Sequence, residues 1–331
     1  MASVIGDPRL PEQTSIDPST PPAAVPLVGP SPEPLPSSSR GNRDEPEPEP
    51  ESVPRSFPRT PADVGRGLRP VAPSEIVKRT LRYGSHRSQT GRLRRPRWPV
   101  AERLPVVVLV HGGSWSWPSN RRLVSWIGRD VVRRGWCSFE IGYRRLGRFG
   151  GSGGYPASFD DVVDAVRVLA DETPIGVDPE RIVVVGHSAG AHLALAVAGR
   201  LSERVLGVVG VSTPTDLRRA VDAGSTGAAR LIDGADGAWE RVSPMEMSAP
   251  GCELALVHST SDATVRADHS VRYAERLRDL GVPVDVRLVG REGHRSGLRP
   301  SSATWTATAD IVSGWIAGAT GRSARRPARD V

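Results

Sequence analysis

The chain has 331 residues with 31 prolines, and only 38% of it is hydrophobic, too little for a chain folded throughout; part of it is expected to lie outside any packed core. The net charge of +7 does not mark a polyanion-binding protein: 43 of the 44 basic residues are arginine, Lys78 is the only lysine, and the arginines are scattered apart from short runs, so nucleic acid is set aside as a partner. Two cysteines, Cys137 and Cys252, exclude a disulfide scaffold, no Cys/His spacing suggests zinc, and no apolar run is long enough to span a membrane.

The N-terminal MASVIGDPRL lacks the basic and apolar stretches of a secretory signal, which points to the cytoplasm. Residues 1–73 hold 18 of the 31 prolines and include the alternating Glu45–Glu51 run. Such a stretch buries too little apolar surface to offset chain entropy, so it is expected to be a disordered, partly polyproline II tail. A catalytic domain is expected over 74–320 and a short basic tail over 321–331.

Within that domain, apolar runs alternate with helical periodicity. Strands are expected at Val106–Val110, 136–142, Ile182–Val185, Val205–Val211, Leu254–Val257 and Val284–Val289. Helices are expected over 120–134, 158–171 and 189–201, after Asp262, and over 302–317. Strands of continuous apolar residues alternating with helices imply an α/β fold, a mostly parallel sheet covered by helices on both faces.

The chemistry centres on Gly186-His187-Ser188-Ala189-Gly190. A G-x-S-x-G sequence between a strand and a helix has the context of a nucleophile elbow, with Ser188 on a strained turn and the Ala189 amide at a helix N-terminus. After the strand Val106–Val110 comes His111-Gly112-Gly113-Ser114-Trp115. Backbone N–H groups of Gly112 and Gly113 are candidates to complete an oxyanion hole with Ala189. Ser114, Trp115 and His187 are assigned to the substrate pocket; for Trp115 and Trp117, packing is the equal alternative. His111 is read as ordering its loop.

The triad order in such a fold is Ser, acid, His. Asp262 follows the strand Leu254–Val257, and His294 follows the next strand, Val284–Val289. Ser188, Asp262 and His294 therefore form a coherent catalytic set. Glu292 is weighed as the acid and set aside, because it shares a loop with His294. His192 is expected to pack or hydrogen-bond inside the fold, and His258 lies too early to be the base. His269 is placed on a solvated helix face, and Asp160 and Asp161 are read as helix-opening carboxylates.

Together, H-G-G-x-W, the G-H-S-A-G-A-H-L-A run at Gly186–Ala194 and the two loops carrying Asp262 and His294 resemble the α/β-hydrolase superfamily, within it the esterase, lipase and kynurenine formamidase-like group. Tyr143-Arg144-Arg145 and Tyr155-Pro156 resemble the segment after the fourth strand of that group. The sequence departs from the group at Ser259, where glycine is usual, and in the glycine-rich stretch Gly147–Gly154. The resemblance implies a serine hydrolase acting on small-molecule ester or formamide substrates through an acyl-enzyme, with no metal or organic cofactor. A non-catalytic binding protein on the same fold is the alternative.

Overall fold

The structure, a computed structural model, describes residues 72–97, 103–147, 152–172, 174 and 176–323. The expected proline-rich tail, apart from its last two positions, and the basic residues beyond 323 lie outside them.

Two strands precede the first apolar run. β1 (Ile76–Arg82) and β2 (Thr90–Pro96) pair antiparallel, with Ile76 opposite Pro96 and Arg82 opposite Thr90. Neither is visible in an apolar pattern, because lysine and arginine occupy many of their positions. Then follow β3 (Leu104–Val110), α1 (Ser125–Arg133), β4 (Cys137–Ile141), α2 (Ala157–Glu172), β5 (Val177–His187), α3 (Ala189–Arg200) and β6 (Gly207–Val211). Three short helices come next: α4 (Leu217–Asp222), α5 (Thr226–Asp233) and α6 (Trp239–Val242). The chain closes with β7 (Glu253–Ser259), α7 (Asp268–Asp279), β8 (Asp285–Val289) and α8 (Ala303–Ser323). α8 continues six residues past its expected end. Among the described residues, no helix is long and apolar enough to cross a membrane.

All eight strands form one sheet in the order β1-β2-β4-β3-β5-β6-β7-β8. Pairing is antiparallel from β1 to β4 and parallel from β4 onward. The fold is thus α/β, as expected. The central strands are buried on both faces, and their alternate residues serve two cores. From β3, Val106, Val108 and Val110 join the core under α2 and α3 with Phe159, Leu169 and Leu193. Val107 and Leu109 join the opposite core with Ile127 of α1 and Trp305, Val312 and Ile316 of α8. The Trp305 indole N–H also donates to Asp130 Oδ2 at 2.7 Å, tying α8 to α1.

β3 is where the strand order reverses: β4 lies on one side of it and β5 on the other. In open parallel sheets the crevice at such a switch point, beyond the carboxyl ends of the strands, is where ligands bind. The loops after β3 and β5 therefore open the site.

The polar half of the sheet is joined by a buried ion pair. Arg94 of β2 and Glu140 of β4 are both fully enclosed. The guanidinium meets the carboxylate through Nε and, at 3.2 Å, through Nη2, and the Ser125 hydroxyl donates to the same carboxylate at 2.9 Å. Removing one member would strand a charge in the interior. Glu140→Gln is therefore expected to destabilise the fold by about 3–5 kcal/mol. The paired change Arg94→Met with Glu140→Leu is expected to recover most of that loss. Urea unfolding followed by circular dichroism reads both; a double variant as unstable as the single one would contradict the assignment.

Candidate active site

Ser188 directly follows β5 and caps α3 with φ 54° and ψ −124°, a conformation L-residues resist. Close contact on either side enforces it. A Cβ on Gly186 would lie 2.4 Å from the Gly190 carbonyl oxygen, and a Cβ on Gly190 would lie 2.2 Å from that of Val110. Side chains at either position would force the turn apart. The Ser188 amide donates to Val211 O at 2.8 Å, fixing the turn to β6.

His294 and Asp262 reach Ser188 from neighbouring loops. His294 Nε2 lies 2.9 Å from Ser188 Oγ, and His294 Nδ1 lies 2.7 Å from Asp262 Oδ2. A carboxylate can only accept, so Nδ1 carries the proton and Nε2 presents its lone pair to the serine hydroxyl. Asp262 is buried. Its Oδ1 accepts the amides of Thr264 and Val265 at 2.9 and 3.0 Å. Burial alone would raise its pKa, but the adjacent His258 ring, the hydrogen bond from His294 and the Val265 amide outweigh it and hold the carboxyl well below the usual range. Asp262 is thus charged at neutral pH.

His258, near the end of β7, braces the turn that carries Asp262. Its Nε2–H donates to Val265 O at 2.8 Å and stands 3.6 Å from Asp262 Oδ2, while Nδ1 accepts from the Ser270 hydroxyl at 2.8 Å. Sequence order alone excluded it without revealing this role.

The loop after β3 lies directly against the elbow. A Cβ on Gly112 would come within 2.7 Å of His187 O and 3.0 Å of Ser188 Cβ. Gly113 has φ +116°, and Ser114 and Trp115 follow with positive φ, so three successive residues turn the backbone sharply beside Ser188. Ala189 starts α3, where helix-terminal amides have no acceptor within the helix. His111 is enclosed, stacked 4.4 Å from Tyr143, with Nδ1 2.8 Å from Gly112 O, in keeping with a loop-ordering role.

Of the three residues assigned to the pocket, Ser114 alone is exposed. Trp115 is 3% exposed and belongs to the core, its indole N–H donating to His192 Nδ1 at 3.1 Å; packing is the reading its surroundings fit. Trp117 is 59% exposed. His187 is buried, and its Nε2 donates to the His294 carbonyl at 2.8 Å. It holds the His294 backbone from the residue before Ser188. His192 Nε2 lies 2.6 Å from Val242 O, which anchors α6 to α3.

Two readings need correction. His269 is buried, not solvated: its Nδ1 accepts the Asp216 amide at 3.3 Å and its carbonyl accepts the Thr215 hydroxyl at 2.6 Å. The loop after β6 covers the helix face that looked free. Asp161 does more than open a helix. Fully buried, it accepts the Arg144 amide at 2.6 Å, the Arg144 guanidinium and Gln89 Nε2, locking the segment after β4.

With this geometry in view, similarity becomes informative. The BD-FAE family model matches residues 98–277, a little over half of the chain. The chain belongs to the BD-FAE family. The match takes in Ser188 and Asp262 and stops before His294. Esterase LipQ of Mycobacterium tuberculosis is 33% identical over 106 residues, 32% of this chain and 24% of LipQ, so the shared segment spans about a quarter of that relative. Kynurenine formamidase avaC of Aspergillus versicolor is 27% identical over 215 residues, 52% of this chain and 75% of avaC. In structure, esterase B from Lactobacillus rhamnosis aligns with TM-score 0.66 at 18% identity, over 78% of this chain and 92% of the other. That likeness confirms the α/β-hydrolase fold for this BD-FAE member.

Burial lowers the pKa of three neutral histidines around the site: His187 and His192 to about 4 and His111 to about 3. In the unfolded chain each would titrate near the ordinary histidine value of about 6.5. Between these values the unfolded state binds more protons, so their stabilising contribution is present above about pH 6.5 and is lost on acidification towards pH 4. Each histidine contributes a slope of up to about 1.4 kcal/mol per pH unit. Unfolding free energies at pH 7.5 and 5.0 should show this fall, with a shallower dependence in His192→Gln. A stability unchanged over that interval would contradict the burial of these rings.

Proposed function

We propose that this BD-FAE protein is a serine hydrolase that cleaves carboxylic esters of small to medium acyl groups, with 74–320 as its catalytic domain. Ser188 is the nucleophile, His294 the general base and then acid, and Asp262 the residue that orients and stabilises the imidazole. The observation that carries this reading is the unbroken path from Ser188 Oγ through His294 to Asp262, at 2.9 and 2.7 Å. Retention of all three groups favours catalysis over a binding role alone, and the names of esterase relatives agree with the substrate class.

The chemistry follows from the arrangement. As Ser188 Oγ attacks the carbonyl carbon, its proton passes to His294 Nε2. Asp262 offsets the charge that the imidazole gains. The oxyanion is held by the Ala189 amide with that of Gly112 or Gly113, each such donor being worth about 2.7–4 kcal/mol. His294 then protonates the leaving alcohol, and water, activated by the same imidazole, releases the acid from Ser188. Of the three residues assigned to the pocket, Ser114 is the one open to solvent. A formamide carbonyl would follow the same path with an amine as leaving group, and the avaC match favours testing it.

A fluorophosphonate probe is expected to label Ser188, and Ser188→Ala to abolish both labelling and p-nitrophenyl acetate hydrolysis. Peptide mapping that finds the adduct on another serine would refute the assignment. A panel of p-nitrophenyl esters with N-formylkynurenine then ranks ester against formamide.

The acid has its own test. Asp262→Asn should lower kcat by about four orders of magnitude, as the equivalent change does in a serine protease triad, while circular dichroism shows an intact fold. A nearly normal kcat would remove Asp262 from the mechanism.

A further inference from the structure

The general base sits on a loop that packing does not hold. Arg291 and Gly293 are exposed, Arg291 has φ +59°, and nothing lies within 4 Å of a Cβ placed on Gly290 or Gly293. Yet His294 must keep both ring nitrogens in register with partners on two other loops. Besides the His187 ring bonded to the His294 carbonyl, what fixes the segment is a set of hydrogen bonds that the triad does not include.

The Ser259 hydroxyl, at the end of β7, donates to the Glu292 carbonyl, and its oxygen accepts the Ser261 amide at 3.2 Å. The Glu292 carboxylate turns the other way. It accepts the amides of Ala303 and Thr304 at 2.8 and 2.9 Å, and the Thr304 hydroxyl as well. A carboxylate there satisfies amides that the helix leaves without acceptors and meets the positive end of the α8 dipole. Burial would raise its pKa, but these bonds outweigh it and the carboxyl is held below its ordinary value. Ser259 lies three residues before Asp262, so the tie joins the acid's loop to the base's loop.

We propose that Ser259 and Glu292 are positioning residues for the reaction: a clamp that couples the acid loop to the α8 N-terminus and holds His294 in line between Asp262 and Ser188. The proposal rests on the serine hydrolase reading above. Ser259 occupies the position where the resembling group usually has glycine, and glycine has no hydroxyl to make this tie. Glu292, a competitor for the role of acid from sequence, acts on the base through the backbone instead. Neither residue touches the substrate; each acts through the alignment of the imidazole, and a misplacement of about 1 Å can lower a rate about 100-fold.

The test compares Ser259→Ala, Glu292→Ala, their double variant and the conservative Glu292→Gln, using p-nitrophenyl acetate. Active sites are counted by fluorophosphonate titration, so kcat refers to competent enzyme only. Wild-type enzyme that fails to label sinks the serine hydrolase reading itself and is thereby told apart from failure of the clamp. The expected result is a fall in site-normalised kcat of about 10–100-fold in each alanine variant, with KM changed less than about threefold. Loss in the double variant should be no greater than in the worse single variant, because both act on one loop. Glu292→Gln, which keeps an acceptor for the helix amides, should restore most of kcat. If Ser259→Ala does not fold, the two Glu292 variants carry the comparison. A site-normalised kcat within about twofold of wild type in the alanine variants, or a loss confined to KM or melting temperature, would overturn the proposal.

Discussion

The backbone of Ser188 is the constraint around which the molecule is arranged. A serine at φ 54°, ψ −124° is costly, of order 1–3 kcal/mol, and persists only where the surroundings leave no alternative. Here the surroundings are the β3 carbonyls pressed against Gly190, the α3 backbone pressed against Gly186 and the β6 carbonyl that holds the Ser188 amide. Three adjacent parallel strands thus fix one side chain. The cores on both faces of the sheet, from Val106 to Val110 on β3 and along β5 and β6, supply the rigidity this demands.

Charge is distributed economically around that point. His111, His187 and His192 are enclosed and neutral, serving as hydrogen-bonding and packing groups. Asp262 is ionised in a buried setting because amides and imidazoles surround its oxygens. Environment, not residue type, keeps these three rings neutral, whereas His294 lies in line between Asp262 at Nδ1 and the Ser188 hydroxyl at Nε2.

The proposed triad was legible because loop order encodes it. Each member follows a strand, Ser188 and Asp262 after apolar runs and His294 after the mixed Val284–Val289 stretch, and the ends of such strands mark the same edge of a parallel sheet. What escaped the sequence escaped for physical reasons. β1 and β2 carry Lys78, Arg79, Arg92, Arg94 and Arg95 where an apolar pattern would reveal strands; only the interior partner Glu140 makes Arg94 a core residue. The helices α4 to α6 have six, eight and four residues, too short for periodicity, although Asp216 and Ser225 were readable as N-caps for two of them. His269 depends on a loop distant in sequence, and no local pattern reports such a contact. Ser259 and Glu292 were both noticed, one as a departure and one as a competitor, but hydrogen bonds to backbone carbonyls and helix amides leave no trace in residue spacing.

The contact between Gly190 and the end of β3 has a consequence for how substrate range can diversify. Because the turn at Ser188 and the loop after β3 are wedged together at Gly190, the proposed reacting geometry is set apart from the exposed side chains beyond Gly113. The exposed side chains of Ser114 and Trp117 can be exchanged while the packed Trp115 and the turn at Ser188 stay in place. Selection, natural or in a directed-evolution library, is therefore free to reshape that rim, whereas Gly186 and Gly190 admit no alternatives. Innovation in this scaffold is confined to one side of a boundary drawn by the radius of a single methyl group.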